Sequence, residues 1–123
     1  MAGTLVANTI NTDTGLFSTQ NAYNGVARAW ATWTGSTGAI LGSFNVSSIT
    51  RTAAGQYTVS FTTAMPNANY SCTTGGAMNS GSNSAYVSTG SVGTNTASTV
   101  YIGSVNSGGY TDLAYIAITV HSA

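Results

Sequence analysis

Few residues in this chain can move a proton, attack a carbonyl or hold a metal: Asp13, Asp112, His121, Cys72 and seven tyrosines. General acid–base work needs a positioned His, Asp, Glu, Lys or Cys, often in pairs. A carboxylate pair for glycoside cleavage would have to be Asp13 with Asp112, the first of them in a loosely patterned N-terminal stretch. A Ser–His–Asp relay would rest on His121, next to the chain end, where orientation is hard to hold. Cys72 lies in Ser71-Cys72-Thr73-Thr74, with no basic neighbour to draw out a thiolate. As the single cysteine it makes no internal disulfide, and it reads as a small apolar side chain. One His, one Cys and two Asp do not form a metal cluster. The segments Gly75-Gly76 and Gly90 to Gly93 show neither a P-loop nor a dinucleotide fingerprint, and there is no lysine to meet a phosphate. The expectation is no enzyme, no catalytic residues, no cofactor and no metal.

Charge is the scarcest property here. Asp13, Arg28, Arg51 and Asp112 are the only fully charged residues at pH 7, 3% of 123, with no Lys and no Glu. An ordinary soluble domain has about a quarter of its residues charged. This surface must stay in solution on hydroxyls, amides and glycine, which suits a dense assembly whose neighbours sit close. Net charge is zero, so nothing attracts nucleic acid or an acidic membrane. No run approaches the roughly 20 apolar residues of a membrane helix. Met1-Ala2-Gly3-Thr4 opens without a basic region or apolar run, so no signal peptide is expected. Arg28 stands in an apolar segment beside Trp30, and Asp112 opens the last strand. Burying an unpaired charge is costly, which suggests an Arg28–Asp112 ion pair within or between subunits, the alternative being two solvated side chains.

The elements that must position these groups are strands. Thr, Ser, Asn and Gly fill about half the chain, good helix formers are scarce, and period-two alternation is plain. Tyr57, Val59 and Phe61 share one face, Ile116, Ile118 and Val120 another, and Val100, Ile102 and Ser104 a third. Arg28 to Trp33 reads as a strand with its two indoles on opposite faces. Turn signals punctuate the gaps, and the run Arg51-Thr52-Ala53-Ala54-Gly55-Gln56 reads as a hairpin turn with Gly55 expected at a positive φ. Short strands spaced by roughly 8–12 residues indicate an all-β chain: a single antiparallel β-sandwich or jelly-roll-like domain over 26–123. Residues 1–25 scatter Leu5, Val6, Ile10, Leu16 and Phe17 among Thr and Asn. They read either as a first strand or as an extended N-terminal arm that pairs with a neighbouring subunit.

In the Gly/Ser-rich second half, Tyr86, Tyr101 and Tyr110 stand near Asn79, Asn83 and Asn106. Flat rings against the apolar faces of pyranoses, with amides and hydroxyls around them, make a glycan or partner contact. The alternative is that these tyrosines are core or edge-packing residues.

Ala27-Arg28-Ala29-Trp30, Thr34-Gly35, and Ser43-Phe44-Asn45-Val46-Ser47-Ser48-Ile49-Thr50 stand in order, followed by the run from Gly55-Gln56-Tyr57-Thr58-Val59-Ser60-Phe61 to Met65-Pro66-Asn67-Ala68-Asn69-Tyr70. Over Val26–Tyr70 this resembles a recurrent module of tailed-bacteriophage structural proteins, often tail-fibre-like. The module commonly has lysine where Arg28 stands, aspartate where Asn67 stands, and acidic residues in the turn at Gly55. From Ser71 onward the likeness is one of composition alone. The resemblance implies a virion protein assembled in the host cytoplasm as a homo-oligomer, a trimer in fibre and knob proteins, among other phage proteins of the tail or major capsid shell. Two roles are open: a tail-fibre or host-recognition appendage binding a host surface glycan, and a capsid decoration (cement) protein stabilising the head. Neither involves nucleic acid or membrane. Strand edges free of lysine favour assembly in both.

Overall fold

A computed structural model describes residues 3, 6, 9–12, 15–18, 25–77 and 85–122. The described residues form eleven strands: β1 (Thr9–Thr12), β2 (Gly15–Ser18), β3 (Ala29–Thr34), β4 (Ile40–Phe44), β5 (Val46–Ala53), β6 (Gln56–Phe61), β7 (Ser71–Ala77), β8 (Ala85–Thr89), β9 (Thr99–Asn106), β10 (Gly109–Tyr110) and β11 (Tyr115–His121). Two antiparallel sheets pack face to face, the all-β sandwich that alternation predicts. One sheet runs β10-β9-β6-β5, with β8 on the other flank of β9, and the second runs β4-β3-β11-β7.

Alternation builds the core. β6 buries Tyr57, Val59 and Phe61, β9 buries Val100, Ile102 and Ser104, and β11 buries Ile116, Ile118 and Val120. β3 contributes Ala29, Ala31 and Trp33. The Trp33 ring meets Tyr57 of the facing sheet edge-on, with centroids 5.6 Å apart, while Trp30 on the other face of β3 is 42% exposed. The two indoles thus point in opposite directions, as the spacing requires. Burying thirteen apolar side chains is the main stabilising contribution, and two of them, Leu113 and Met65, close the core from loops.

Two polar clamps hold the sheets together at opposite ends. At one end Asn45 joins β4 to β5, so the chain passes from one sheet to the other through a single residue with φ 55°. Asparagine tolerates that left-handed conformation because its short amide bonds locally. Its side-chain N–H groups donate to the carbonyls of Arg28 and Thr63, both at 3.0 Å, and its Oδ1 accepts from the Thr63 N–H at 2.7 Å. At the other end Gly55 turns β5 into β6 with φ 65°, the positive value expected for it. A Cβ there would collide with the Ser104 carbonyl and the Thr111 N–H, so only glycine lets the 104–111 segment close over the turn.

At the N-terminus β1 and β2 pair with each other, Ile10 opposite Phe17 and Asn11 opposite Leu16. Within the segment read as an extended arm or a first strand, the described strands Thr9–Thr12 and Gly15–Ser18 form a two-stranded sheet of their own. Val6 is exposed, and Leu5 lies outside the described residues.

Asn45→Ala should cost about 2 kcal/mol, because two carbonyls and one N–H lose partners and alanine is strained at this φ. Asn45→Gly should be milder by about 1 kcal/mol, since glycine adopts the conformation freely. Urea unfolding of both variants measures the difference; equal losses would show that backbone strain plays no part.

Candidate functional site

The outward face of the five-stranded sheet is set by the register of β9. With Val100, Ile102 and Ser104 turned inward, Tyr101, Gly103 and Val105 lie on the opposite, outer face, Tyr101 and Val105 half-buried and Gly103 covered. Antiparallel partners share a face, so Tyr86 of β8 and Tyr110 of β10, both opposite Val105, flank it on either side. Two strand spacings separate their backbones by about 10 Å. Tyr86 is 65% exposed and Tyr110 43%.

Glycines let the rings lie flat. The Tyr110 ring crosses Gly103, its Cε1 only 3.0 Å from where a Cβ would stand, and its hydroxyl donates to the Ser91 carbonyl at 3.1 Å. Half-buried Tyr101 rests against Gly93, ring atoms 2.7–2.9 Å from the position a Cβ would take. Around these rings lie neutral hydrogen-bonding groups. Gln56 and Thr58 of β6 sit opposite Gly103 and Tyr101, and Ser88 sits opposite Gly103 on the other flank. The result is a shallow, uncharged floor of rings and hydroxyls suited to a neutral, flat, polar ligand.

Three of the expected contact residues, Tyr86, Tyr101 and Tyr110, therefore share one face. Asn106 does not join them: its Oδ1 accepts the Gly108 N–H at 2.8 Å inside the β9–β10 turn, and its place in the alternation is the inward one. Asn79 and Asn83 lie outside the described residues. Val105, Gln56, Thr58 and Ser88 escaped the sequence reading, although the inward assignment of Val100, Ile102 and Ser104 already implies Val105 by parity.

The titratable groups are distributed differently. Asp112 is paired with Arg51, not with Arg28 as expected. Arg28 precedes β3 at the end where its N–H donates to Val120, whereas Asp112 lies beyond the far end of β11; the whole length of a strand separates them. Arg51 grips Asp112 through Nε (3.0 and 3.1 Å) and a terminal nitrogen (2.7 Å). The same carboxylate accepts the Gly55 N–H at 2.9 Å and lies 2.8 Å from the Tyr57 hydroxyl, which also stands 2.9 Å from the Gly35 carbonyl. The hydroxyl has one proton, so these two acceptors share it. The Arg51 hydrogen bonds, reinforced by Gly55 and Tyr57, hold the Asp112 carboxyl down at about 2 against the opposing effect of burial. Burial first, and the bond to Asp112 second, push the Tyr57 hydroxyl well above its usual range.

Cys72 packs against the core, and burial pushes its thiol up to about 11. It lies opposite Val120, facing inward, whereas His121 alternates to the outer face, so the two do not meet. No group of three or more His, Cys, Asp or Glu suited to a metal occurs among the described residues, and Asp13 lies outside them. The chain matches no family model, no curated protein and no solved structure.

Because the folded Asp112 lies below its ordinary value of 3.8, its contribution is full above that pH and is lost as pH falls through about 2. Wild type should lose on the order of 1 kcal/mol between about pH 4 and pH 2 from this group, allowing for screening at the exposed Arg51 end. Asp112→Asn should be less stable at pH 7 and lack that part of the acid slope. Urea titrations at several pH values measure it, and an unchanged slope in the variant would remove the carboxylate from the account.

Proposed function

We propose that this chain is a non-enzymatic structural protein of a tailed-phage virion, an exposed tail-fibre-like appendage that assembles as a homo-oligomer and recognises the host surface through a neutral glycan. The observation that carries the recognition half is the outward face on which Tyr86 and Tyr110 flank Val105, with Tyr101, Gln56, Thr58 and Ser88 beside them. Phage membership rests on the ordered resemblance over Val26–Tyr70. Nothing on the tyrosine face offers a charge to an ionic ligand. Recognition there would run on stacking and hydroxyl hydrogen bonds, a chemistry that saccharides satisfy.

The non-enzymatic half is supported by where the reactive groups go. Asp112 is engaged by Arg51, Gly55 and Tyr57, and the Cys72 thiol is protonated at neutral pH and turned into the core.

Antibody labelling of purified virions followed by cryo-EM tests the placement. A few dozen copies at the tail are expected, whereas hundreds over the shell would overturn it in favour of capsid decoration. Tyr86→Ala and Tyr110→Ala should each weaken binding of the purified protein to host cells by about tenfold, with thermal unfolding unchanged. Unaltered binding in the double variant would rule the face out as the receptor site.

A further inference from the structure

The second sheet also turns an unusual face outward. β4 is the last strand of its sheet, and a register shift in its pairing with β3, between Thr32 and Trp33, leaves Leu41 as an extra residue without a partner. Bulges of this kind re-aim side chains, and along this edge strand several apolar side chains stand exposed. Leu41 is 66% exposed, Phe44 55%, and Trp30, directly opposite Phe44 on β3, 42%; Ile40, opposite Trp33 and so on the other face of the edge, is 40% exposed. The Trp30 ring lies flat over Gly42, its Cζ3 3.3 Å from where a Cβ would be. Directly after Asn45 the chain enters β5, the last strand of the other sheet, so one flank of the sandwich consists of two consecutive edge strands. Natural edges are normally blunted by lysine or proline. Neither occurs here, and the one charge on β4 and β5, Arg51, is gripped by Asp112.

We propose that this flank, the β4 edge along which Ile40, Leu41 and Phe44 are exposed and which Trp30 of β3 borders, is where a second copy of this chain docks. Three arguments select a copy of the chain as occupant. The four side chains expose on the order of 400 Å² of mostly apolar surface, close to the apolar half of the roughly 800 Å² per partner that a stable interface needs. The surface is uncharged, so it repels nothing in a copy of itself and offers a charged partner nothing to pair with. An edge strand that meets its own copy in antiparallel orientation presents matching N–H and C=O groups under a two-fold axis, so the contact is self-complementary. The inference deepens the oligomer half of the proposed function and does not depend on the phage assignment: chain mass in solution and position on the virion are separate readouts.

Sedimentation equilibrium of the full chain is the test, with near-ultraviolet circular dichroism as a check on folding. Wild type should associate with rising concentration. Leu41→Lys and Phe44→Ser should each weaken that association at least tenfold, towards the 12.4 kDa single chain. Thr89→Lys, at an exposed position on β8, should associate like wild type. Hydrogen exchange provides a readout without substitution: the amides of residues 40–44 should slow as wild-type concentration rises. A wild-type chain that stays monomeric at its solubility limit, a Leu41→Lys mass equal to wild type, or concentration-independent exchange over 40–44 would each overturn the proposal.

Discussion

The Asp112 carboxylate is the point on which the closed end of the sandwich depends. It gathers donors from β5 (Arg51), from the β5–β6 turn (Gly55) and from β6 (Tyr57), all in one sheet, while it belongs to the segment leading into β11 of the other. Charge-assisted hydrogen bonds are roughly twice as strong as neutral ones, and a bidentate guanidinium adds direction. Tyr57 carries the connection inward: its hydroxyl lies at the clamp and its ring meets Trp33 edge-on in the core. Trp33 Nε1, beside this contact, is buried without a hydrogen-bond partner.

With the Asn45 clamp at the opposite end, the two sheets are held at both extremities by side-chain amide and carboxylate bonds, and between them by apolar packing. That arrangement frees the outer faces from structural duty. A domain with an ordinary complement of surface charge would cover those faces with lysines and glutamates. Here they carry tyrosine rings on one sheet and the Trp30–Phe44 cross-strand pair on the other. Both faces are low in charge and carry exposed aromatic side chains.

Much of the fold was legible in the residue pattern. Alternation along β6, β9 and β11 assigned the buried set correctly, because a half-buried strand can satisfy the core only with every second residue. Gly55 was legible as a positive-φ turn because it lies between two alternating runs. The Arg28–Asp112 pairing was not. Both charges border strands of the same sheet, and only the antiparallel direction of β3 against β11 places them at opposite ends. Arg51 was overlooked because it was read as part of a turn, whereas it lies in β5, in register with Tyr57 and beside the carboxylate. Asn45 looked like one asparagine among many; its role follows from φ, which composition does not encode.

By itself the sequence determined the class of the fold, the composition of the core and the near absence of charge, since these follow from local alternation and residue counts. Tertiary structure alone decided which residues became neighbours. Tyr86 and Tyr110 are 24 positions apart and flank Val105 only because β8 and β10 add to opposite sides of β9. Leu41 faces solvent only because the pairing of β4 slips by one residue. Register and strand order are non-local quantities, set when the whole sandwich closes and inward faces must match, so no short stretch of the chain contains them.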